Sequence, residues 1–425
     1  MLQTLRDAWK IDELRKKMLF TIFIILLYRV GNSIPVPYVD VSLLQNYFTQ
    51  IENTVLGLYN VMSGGAFSSA TIFALSIQPY INASIIIQLL CIAIPALERM
   101  AKEEGQEGKK KIEKITRYST LAIGLLQGYA YYYLISANSL LSESGVWQGI
   151  VIVLTFTAGS VLIMWMGEQI TEFGIGNGIS IILFASIVSR FPTSIITMVS
   201  NLMNGTLAWW ALVLMLLGAL VIIVLIVIVN SAERRIPVQY SKRVVGRKMY
   251  GGQSTHLPMK VNMSGVLPII FAQSIAALPA TIGAFIGKTD GWFMNLFDTS
   301  GLFYALIYFL LILFFSYFYS TIQFNPIEVS NNLRKNGGFV PGYRPGKPTS
   351  DFLQKVLNKV TLFGAIYLSI VAVTPYIISH FSDVASTSGI SLGGTSIIIV
   401  VGVALETITA LENQMLMRHY KGFLE

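Results

Sequence analysis

Three side-chain amides and a proline interrupt an apolar run at residues 76–88, "SIQPYINASIIIQ", and they are the side chains best suited to chemistry inside a membrane. Gln78, Asn82 and Gln88 can donate and accept hydrogen bonds, which hydrocarbon cannot offer. A second run of this kind, "VNMSGVLPIIFAQSIAALPA", covers residues 261–280. Such interruptions are tolerated where the chain lines protein or water. Both segments are therefore predicted to face a cavity.

Residues for covalent or metal chemistry are scarce. The three histidines are His256, His380 and His419, and none lies within a helical turn of a carboxylate or cysteine inside an apolar run. The single cysteine excludes a disulfide framework or a thiolate metal site. "GIGNG" at residues 174–178 lacks the full G-x-G-x-x-G pattern, so it indicates a helix-start turn. We predict no enzyme activity, no cofactor and no metal site.

Two charges lie deep in apolar runs, Arg29 and Glu406. Each costs about 2.5–3.5 kcal/mol on membrane-insertion scales, so each should face protein or water. We interpret Arg29 as reaching the outer interface. Glu406 leaves a proton- or sodium-coupled transporter open, although such a protein usually carries more intramembrane charges.

Composition defines the elements that must position these residues. The chain is 54% hydrophobic and 12% charged, and residues 208–229 contain no charge or amide. About 20 such residues cross a bilayer, so this is a polytopic, all-α membrane protein. The predicted spans are 18–34, 72–97, 118–136, 147–167, 178–197, 208–230, 262–287, 303–324, 358–381 and 394–416.

Basic residues orient these spans. With ten spans, 27 of the 30 Lys and Arg residues fall on one face, in the two tails and the segments 98–117, 231–261 and 325–359. The positive-inside rule makes that face cytoplasmic, with both termini there, in the cytoplasmic membrane. The 168–177 turn is an exception, because it holds Glu168 and Glu172 and no basic residue.

The spans divide at the uninterrupted sixth one. Residues 1–17 form a cytoplasmic amphipathic segment, in which Leu5 and Trp9 share one helical side. Residues 18–200 form an N-terminal half with five spans, and residues 201–425 form a C-terminal half with five spans and the cytoplasmic loops 231–261 and 325–357. Because five is odd, the second half must enter the membrane inverted, as is typical of proteins that move something across it.

Four motifs carry a resemblance to a known family. "GEQITEFGIGNGISII" (167–182), "QSTHLPMKVNMSGVLP" (253–268), "NPIEVSNNLRKNGGFVPGYRPGKPT" (325–349) and "GGTSIIIVV" (393–401) closely resemble the SecY family, the protein-conducting channel subunits of the Sec translocon. The resemblance covers essentially the whole chain. It implies two inverted five-helix halves around a central hourglass pore.

The resemblance also implies a plug and a pore constriction. Residues 57–70, "GLYNVMSGGAFSSA", resemble the family's short plug, centred on Met62, Ser63, Gly64, Gly65, Ala66 and Phe67. The aliphatic ring that narrows the pore maps by motif to Ile77, Ile81, Ile179, Leu183, Ile270 and Ile399. An apolar neck excludes water and ions by dewetting, yet it binds no particular side chain.

Translocon channels also open sideways between their second, third, seventh and eighth spans. The resemblance assigns this lateral gate to Asn82, Gln88, Gln273, Ser274 and Leu278. Polar contacts between membrane helices average about 0.6 kcal/mol, so a seam held by them yields to an apolar segment. The channel would sort substrates by partition between pore and lipid rather than by a sequence code.

The basic loops resemble the family's docking face for the SecA motor and the ribosome. The residues assigned to it are Arg247, Lys248, Arg334, Lys335 and Arg344. The expected partners are SecE and SecG in a heterotrimer, SecA, the ribosome, signal peptides, unfolded preproteins and the lipid bilayer.

The predicted function is the central channel of the Sec preprotein translocase. It passes unfolded polypeptides across the membrane and releases hydrophobic segments sideways into lipid. Two alternatives stay open: a dedicated membrane-protein insertase or accessory translocon, which needs no plug, and a small-solute secondary transporter, which the aliphatic ring disfavours.

Overall fold

The structure is a computed structural model of the 425-residue chain. It describes residues 2–50, 55–102, 105–143, 145–205, 208–240, 243–245, 248–250, 254–263, 265–286, 301–381 and 394–421. Helices dominate, and their bounds in chain order are α1 Leu2–Lys10, α2 Asp12–Gly31, α3 Val41–Gln50, α4 Val55–Met62, α5 Gln78–Ala93, α6 Pro95–Lys102, α7 Gly105–Ala137, α8 Val146–Phe173, α9 Gly178–Val188, α10 Phe191–Met203, α11 Trp209–Ser231, α12 Leu267–Ile286, α13 Leu302–Gln323, α14 Pro326–Lys335, α15 Lys347–Phe381 and α16 Gly394–Lys421.

Six helical segments in the described part of the chain are long and apolar enough to cross a membrane: Val146–Phe173, Gly178–Met203, Trp209–Ser231, Leu302–Lys335, Lys347–Ile377 and Thr395–Leu416. Two further apolar stretches are shorter: α5, Gln78–Ala93, and the first part of α12, Leu267–Pro279. The first and third predicted spans fall on α2 and α7, which also contain charged turns. The all-α membrane architecture is thus confirmed, whereas the count of ten spans stays a prediction.

The helices α5 and α12 correspond to the predicted second spans of the two halves. Residues 72–77 form turns, and α5 begins only at Gln78, with Pro79 in its first turn. Ser76, just before it, has a positive φ of 50°. Sixteen residues at 1.5 Å each give α5 a length of about 24 Å, which is less than a hydrocarbon core.

The fifth predicted span consists of two helices. α9 ends at Val188, and α10 resumes at Phe191 with Pro192 in its first turn. Proline is accepted there because the first amides of a helix have no intrahelical acceptor. Apolar residues continue to Met203, so the segment extends beyond the predicted end at 197.

Packing connects the helices along and across the chain. In the first half α5 contacts α7, α7 contacts α8, and α8 contacts α9, while in the second α12 contacts α13 and α13 contacts α15. α12 also contacts α4, α5 and α7, and α16 contacts α9. The division into halves at residue 200 stays a prediction. At the N-terminus, Leu5 and Ala8 of α1 pack on protein with Ile175 and Leu411, whereas Trp9 is 44% exposed.

A small sheet, which the sequence analysis did not predict, joins the two basic loops. β1 (Glu233–Tyr240) pairs antiparallel with β4 (Ser254–Lys260) and with β5 (Gly338–Phe339), and a hairpin of β2 (Arg243–Val245) and β3 (Lys248–Tyr250) lies between β1 and β4 in the chain. Ile236 and Val238 alternate with exposed residues and are buried with Leu353 and Leu357 of α15. That alternation was the local sequence signal for a strand.

Candidate functional site

The six predicted constriction residues lie in one apolar cluster. Five of them are buried members, each at most 3% exposed, and Ile179 packs partly buried against them. They come from five places in the chain: the turn before α5, α5 itself, α9, α12 and α16. The structure therefore brings together aliphatic side chains from both predicted halves. Their arrangement as a ring around a pore stays a prediction.

The predicted plug lies against this cluster. Helix α4 ends at Met62, which belongs to the same apolar cluster, and residues 63–70 continue as turns. The Gln78 side-chain amide donates to the Met62 Sδ at 3.1 Å. The segment is too short to cross a membrane, as predicted, and it contacts the residues that flank the constriction.

Gly64 allows the predicted plug to approach α9 closely. Its φ is +69°, and a Cβ built there would lie 2.9 Å from both the Ser186 carbonyl oxygen and the Ser189 Oγ. Gly65 has a φ of +90° but has no atom within 4 Å of its built Cβ. A left-handed conformation favours glycine at both positions. Only at Gly64 would a side chain also collide with α9, so only there does the absence of a side chain permit the close approach.

Neutral hydrogen bonds hold the plug to its neighbours. The Tyr28 hydroxyl lies 2.7 Å from Ser186 Oγ and 3.4 Å from the Ser63 carbonyl, and the Asn32 amide also donates to that carbonyl at 3.4 Å. The Tyr131 hydroxyl donates to the Phe67 carbonyl, and the two rings stack with centroids 4.2 Å apart. These contacts are individually modest, so the plug is fixed without any ionic bond among them.

The predicted gate residues lie on two helices that touch, α5 and α12. Asn82, Gln273 and Ser274 are buried, and Leu278 is 38% exposed. Within the described residues, Gln273 Oε1 and Ser274 Oγ are buried without a hydrogen-bond partner. Closing a contact between two helices is less favourable in free energy when buried polar atoms stay unpaired than when all of them are hydrogen-bonded.

Tyr319 of α13 contacts a predicted gate residue, Gln88, and the sequence analysis did not single it out. Its hydroxyl donates to Gln88 Oε1, while the Gln88 amide donates to Ser84 Oγ at 3.1 Å. The Tyr319 ring packs on Phe271 of α12, with centroids 5.1 Å apart. One side chain thus contacts α5 and α12 from α13. No sequence signal separates it from the other aromatic residues of that span.

The predicted docking residues fall on the joined basic loops. Arg247 lies outside the described residues, and for Lys248 only the backbone, in β3, is described. Arg334 and Lys335 are exposed in the last turn of α14, where basic side chains complement the helix dipole. β5 follows this helix and pairs with β1, so the two loops form a single surface.

Arg344 is exposed at the tip of the second loop. Gly342 and Gly346 on either side have φ values of +89° and +102°. Thr349 Oγ1 donates to the Arg344 carbonyl at 2.8 Å, and Ser330 Oγ donates to the Gly346 carbonyl at 2.7 Å. The tip is therefore held by its backbone, and its guanidinium is displayed to solvent.

Glu168 and Glu172, which the sequence analysis placed in a turn, lie in the last turns of α8, and Glu168 has a basic partner. Glu168 Oε1 lies 2.8 Å from the Arg117 Nε, and this ion pair joins α7 to α8. The pair is partly exposed, so its contribution to stability is small. The ion pair gives Glu168 a basic neighbour that the linear sequence did not reveal.

Comparisons with known proteins agree with this geometry. The family model described as SecY matches residues 71–408. A protein translocase subunit SecY from Streptomyces scabiei is 43% identical over 442 aligned residues, covering 100% of both chains, and one from Thermotoga maritima is 42% identical, covering 100% of this chain and 98% of its own.

Solved structures share the fold. A protein-conducting channel superposes with a TM-score of 0.69 at 15% identity, covering 95% of this chain and 93% of that one. Sec61 in a canine ribosome-channel complex superposes with a TM-score of 0.63 at 14% identity, covering 95% and 93%. At these identities the likeness shows the fold alone.

Proposed function

This chain belongs to the SecY family, and on that premise we propose that it is the channel-forming subunit of a Sec translocase with its pore, plug and gate at the residues described above. The observation that carries this assignment is the convergence of six aliphatic side chains, from five chain segments, on one cluster against the plug residue Met62. An apolar neck of this kind excludes ions while idle and accepts many polypeptide sequences.

The driving force and orientation are also part of the proposal. The basic loops, joined by the sheet, would receive SecA or a ribosome, and SecE and SecG would complete the complex. The face carrying these loops would be cytoplasmic, with both termini on that side of the cytoplasmic membrane, because most Lys and Arg residues fall there. The chain itself would act as a passive, non-enzymatic channel.

Protease protection tests this function. The chain is reconstituted with SecE and SecG in vesicles, and SecA, ATP and a signal-bearing preprotein are added. We expect full-length preprotein to become protease-resistant only with ATP. If the complex is intact and binds SecA but protects no preprotein, the function shifts to a membrane-protein insertase or an accessory translocon.

Replacing Gly64 with alanine is expected to unseat the plug. A left-handed conformation costs a non-glycine residue about 1–2 kcal/mol, and the new methyl group would meet the Ser186 carbonyl at 2.9 Å. The left-handed cost alone, at about 1.4 kcal/mol, corresponds to a factor of ten, and the contact with Ser186 adds to it, so we expect the ion leak of reconstituted, idle channels to rise more than tenfold. The measurement is single-channel or vesicle ion flux.

Gly65→Ala is the matched control. It places the same methyl group at a positive φ but in open space. Its leak should lie clearly below that of Gly64→Ala. Equal leaks would show that the contact with α9 does not seat the plug.

Tyr319→Phe is expected to loosen the lateral gate. The change removes the hydroxyl that donates to Gln88 and keeps the ring that packs on Phe271. An average membrane hydrogen bond contributes about 0.6 kcal/mol, so integration of marginally apolar segments should rise about threefold. The measurement is the integrated fraction of test segments with increasing leucine content.

Tyr317→Phe is the control, because the Tyr317 hydroxyl contacts the Asn358 carbonyl on an exposed side. An unchanged leucine threshold for integration in Tyr319→Phe would contradict the gate assignment.

A further inference from the structure

A small cavity lies where the cytoplasmic sheet continues into the gate helix. Residues 261–263, here called the strap, follow β4 and precede α12. The cavity lies between this strap, α13 and α15, and its volume is about 10 Å³. The side chains that matter in its wall are Asn262, Ser316, Ser320 and Thr361.

The wall of this cavity carries polar atoms that protein groups do not satisfy. Ser316 Oγ and Asn262 Oδ1 are buried and have no hydrogen-bond partner within the described residues. Ser320 Oγ and Thr361 Oγ1 lie 2.7 Å apart and share one hydrogen bond, so one of these two hydroxyl protons remains available. Burying such groups unpaired costs about 1–3 kcal/mol each.

Close backbone packing limits what can fill the space. A Cβ built on Gly364 of α15 would lie 2.5 Å from the Val261 carbonyl oxygen, so the strap backbone packs directly against the backbone of α15 at this glycine. Asn262 is held in place because its amide donates to Asn230 Oδ1 at 2.9 Å. A volume near 10 Å³ with two to four polar partners suits one water molecule.

We infer that this cavity is a binding site for a single water molecule, which hydrogen-bonds Asn262 of the strap to the hydroxyls of α13 and α15. The water donates to Asn262 Oδ1 and Ser316 Oγ and accepts the free proton of the Ser320–Thr361 pair. Its three bonds match the usual number for a buried water. The oxygen set is neutral and small, which disfavours a cation, since calcium takes six to eight oxygen ligands.

The position of this water gives it a mechanical consequence, which rests on the proposed function, whereas the site itself does not. The strap is the covalent connection between the docking sheet and gate helix α12. Water can exchange hydrogen-bond partners when the strap moves, while directly paired side chains would have to break their bonds. The strap can therefore move with little loss of hydrogen-bond energy when a partner binds the sheet.

Two measurements on the complete complex test the site. In a density map that resolves ordered water, we expect a peak within about 3 Å of both Ser316 Oγ and Asn262 Oδ1, and no peak between well-ordered side chains would overturn the proposal. Ser316→Ala removes one partner of the water, so its thermal midpoint should fall by about 2 °C. A dry cavity predicts the opposite sign, because the mutation would then delete an unpaired buried hydroxyl.

Ser369→Ala is the control for the thermal measurement. Ser369 lies buried on α15 and is not itself a lining residue of the cavity, and its hydroxyl contacts the carbonyls of Ala365 at 2.7 Å and Phe309 at 3.4 Å. The midpoint of Ser316→Ala should fall below that of Ser369→Ala. A midpoint for Ser316→Ala at or above wild type would overturn the proposal, and neither measurement depends on transport activity.

Discussion

Ile399→Asn is expected to open the constriction to water and to let preproteins with defective signals through. Ile399 is 1% exposed and packs with the other aliphatic residues of the constriction. An asparagine there would bury an amide among apolar neighbours, which costs about 1–3 kcal/mol unless water enters. The closed state would lose that free energy relative to the open state. We expect export of a defective-signal preprotein to rise tenfold or more, since 1.4 kcal/mol is a factor of ten.

The control for this substitution is Ile228→Asn in α11. Ile228 is 57% exposed on the outer surface of the helix bundle, so its replacement adds the same amide without touching the constriction. Export of the defective-signal preprotein is measured in both variants at matched protein levels. If Ile399→Asn discriminates signals as well as Ile228→Asn does, Ile399 is not part of the channel seal.

Arg344→Glu is expected to abolish most partner-driven transport while the chain stays folded. The loop tip is held by the Thr349 and Ser330 hydrogen bonds to backbone carbonyls and by the stack of Tyr343 on Phe352, with centroids 4.1 Å apart. None of these contacts uses the guanidinium. Removing one partner of a buried, hydrogen-bonded charge pair at an interface costs about 2–5 kcal/mol, and a reversed charge adds repulsion. We therefore expect ATP-dependent translocation to fall more than tenfold.

Lys347→Glu makes the same change in net charge three residues away, at another exposed position of the loop. It should lower transport far less, because Lys347 is not one of the predicted contacts. Translocation rate and SecA binding are measured for both variants at low and high salt, since exposed charge effects weaken as salt rises. Normal transport by Arg344→Glu would remove this residue from the docking surface.

Local patterns in the sequence were sufficient for the architecture. Hydropathy identified apolar helices, because crossing a bilayer requires a long apolar segment in any tertiary context. The amides and prolines of residues 76–88 and 261–280 marked α5, which has only 16 residues, and α12, which contains Pro279. The motifs led to the family because they are long and ordered along the chain, and the family model and full-length relatives confirm that membership.

Sequence reasoning was weaker wherever a contact depends on how helices are rotated against each other. Tyr319 is one of many aromatic residues in its span, and only the packing of α13 on α5 and α12 selects it as the partner of Gln88. Arg117 and Glu168 are 51 residues apart, so their pairing follows from the contact of α7 with α8.

The sequence by itself thus determined the membrane class and the family, and it predicted the basic face, the interrupted spans and, through the family resemblance, the apolar constriction residues. These properties depend on residue type and on short-range spacing, which the chain carries without folding. The tertiary structure decided the seat of Gly64 on α9, the Tyr319 contact and the union of two basic loops through the two-residue strand β5. Each of these is a meeting of segments distant in the chain, and only the packing of the folded helices brings such segments within reach of a hydrogen bond.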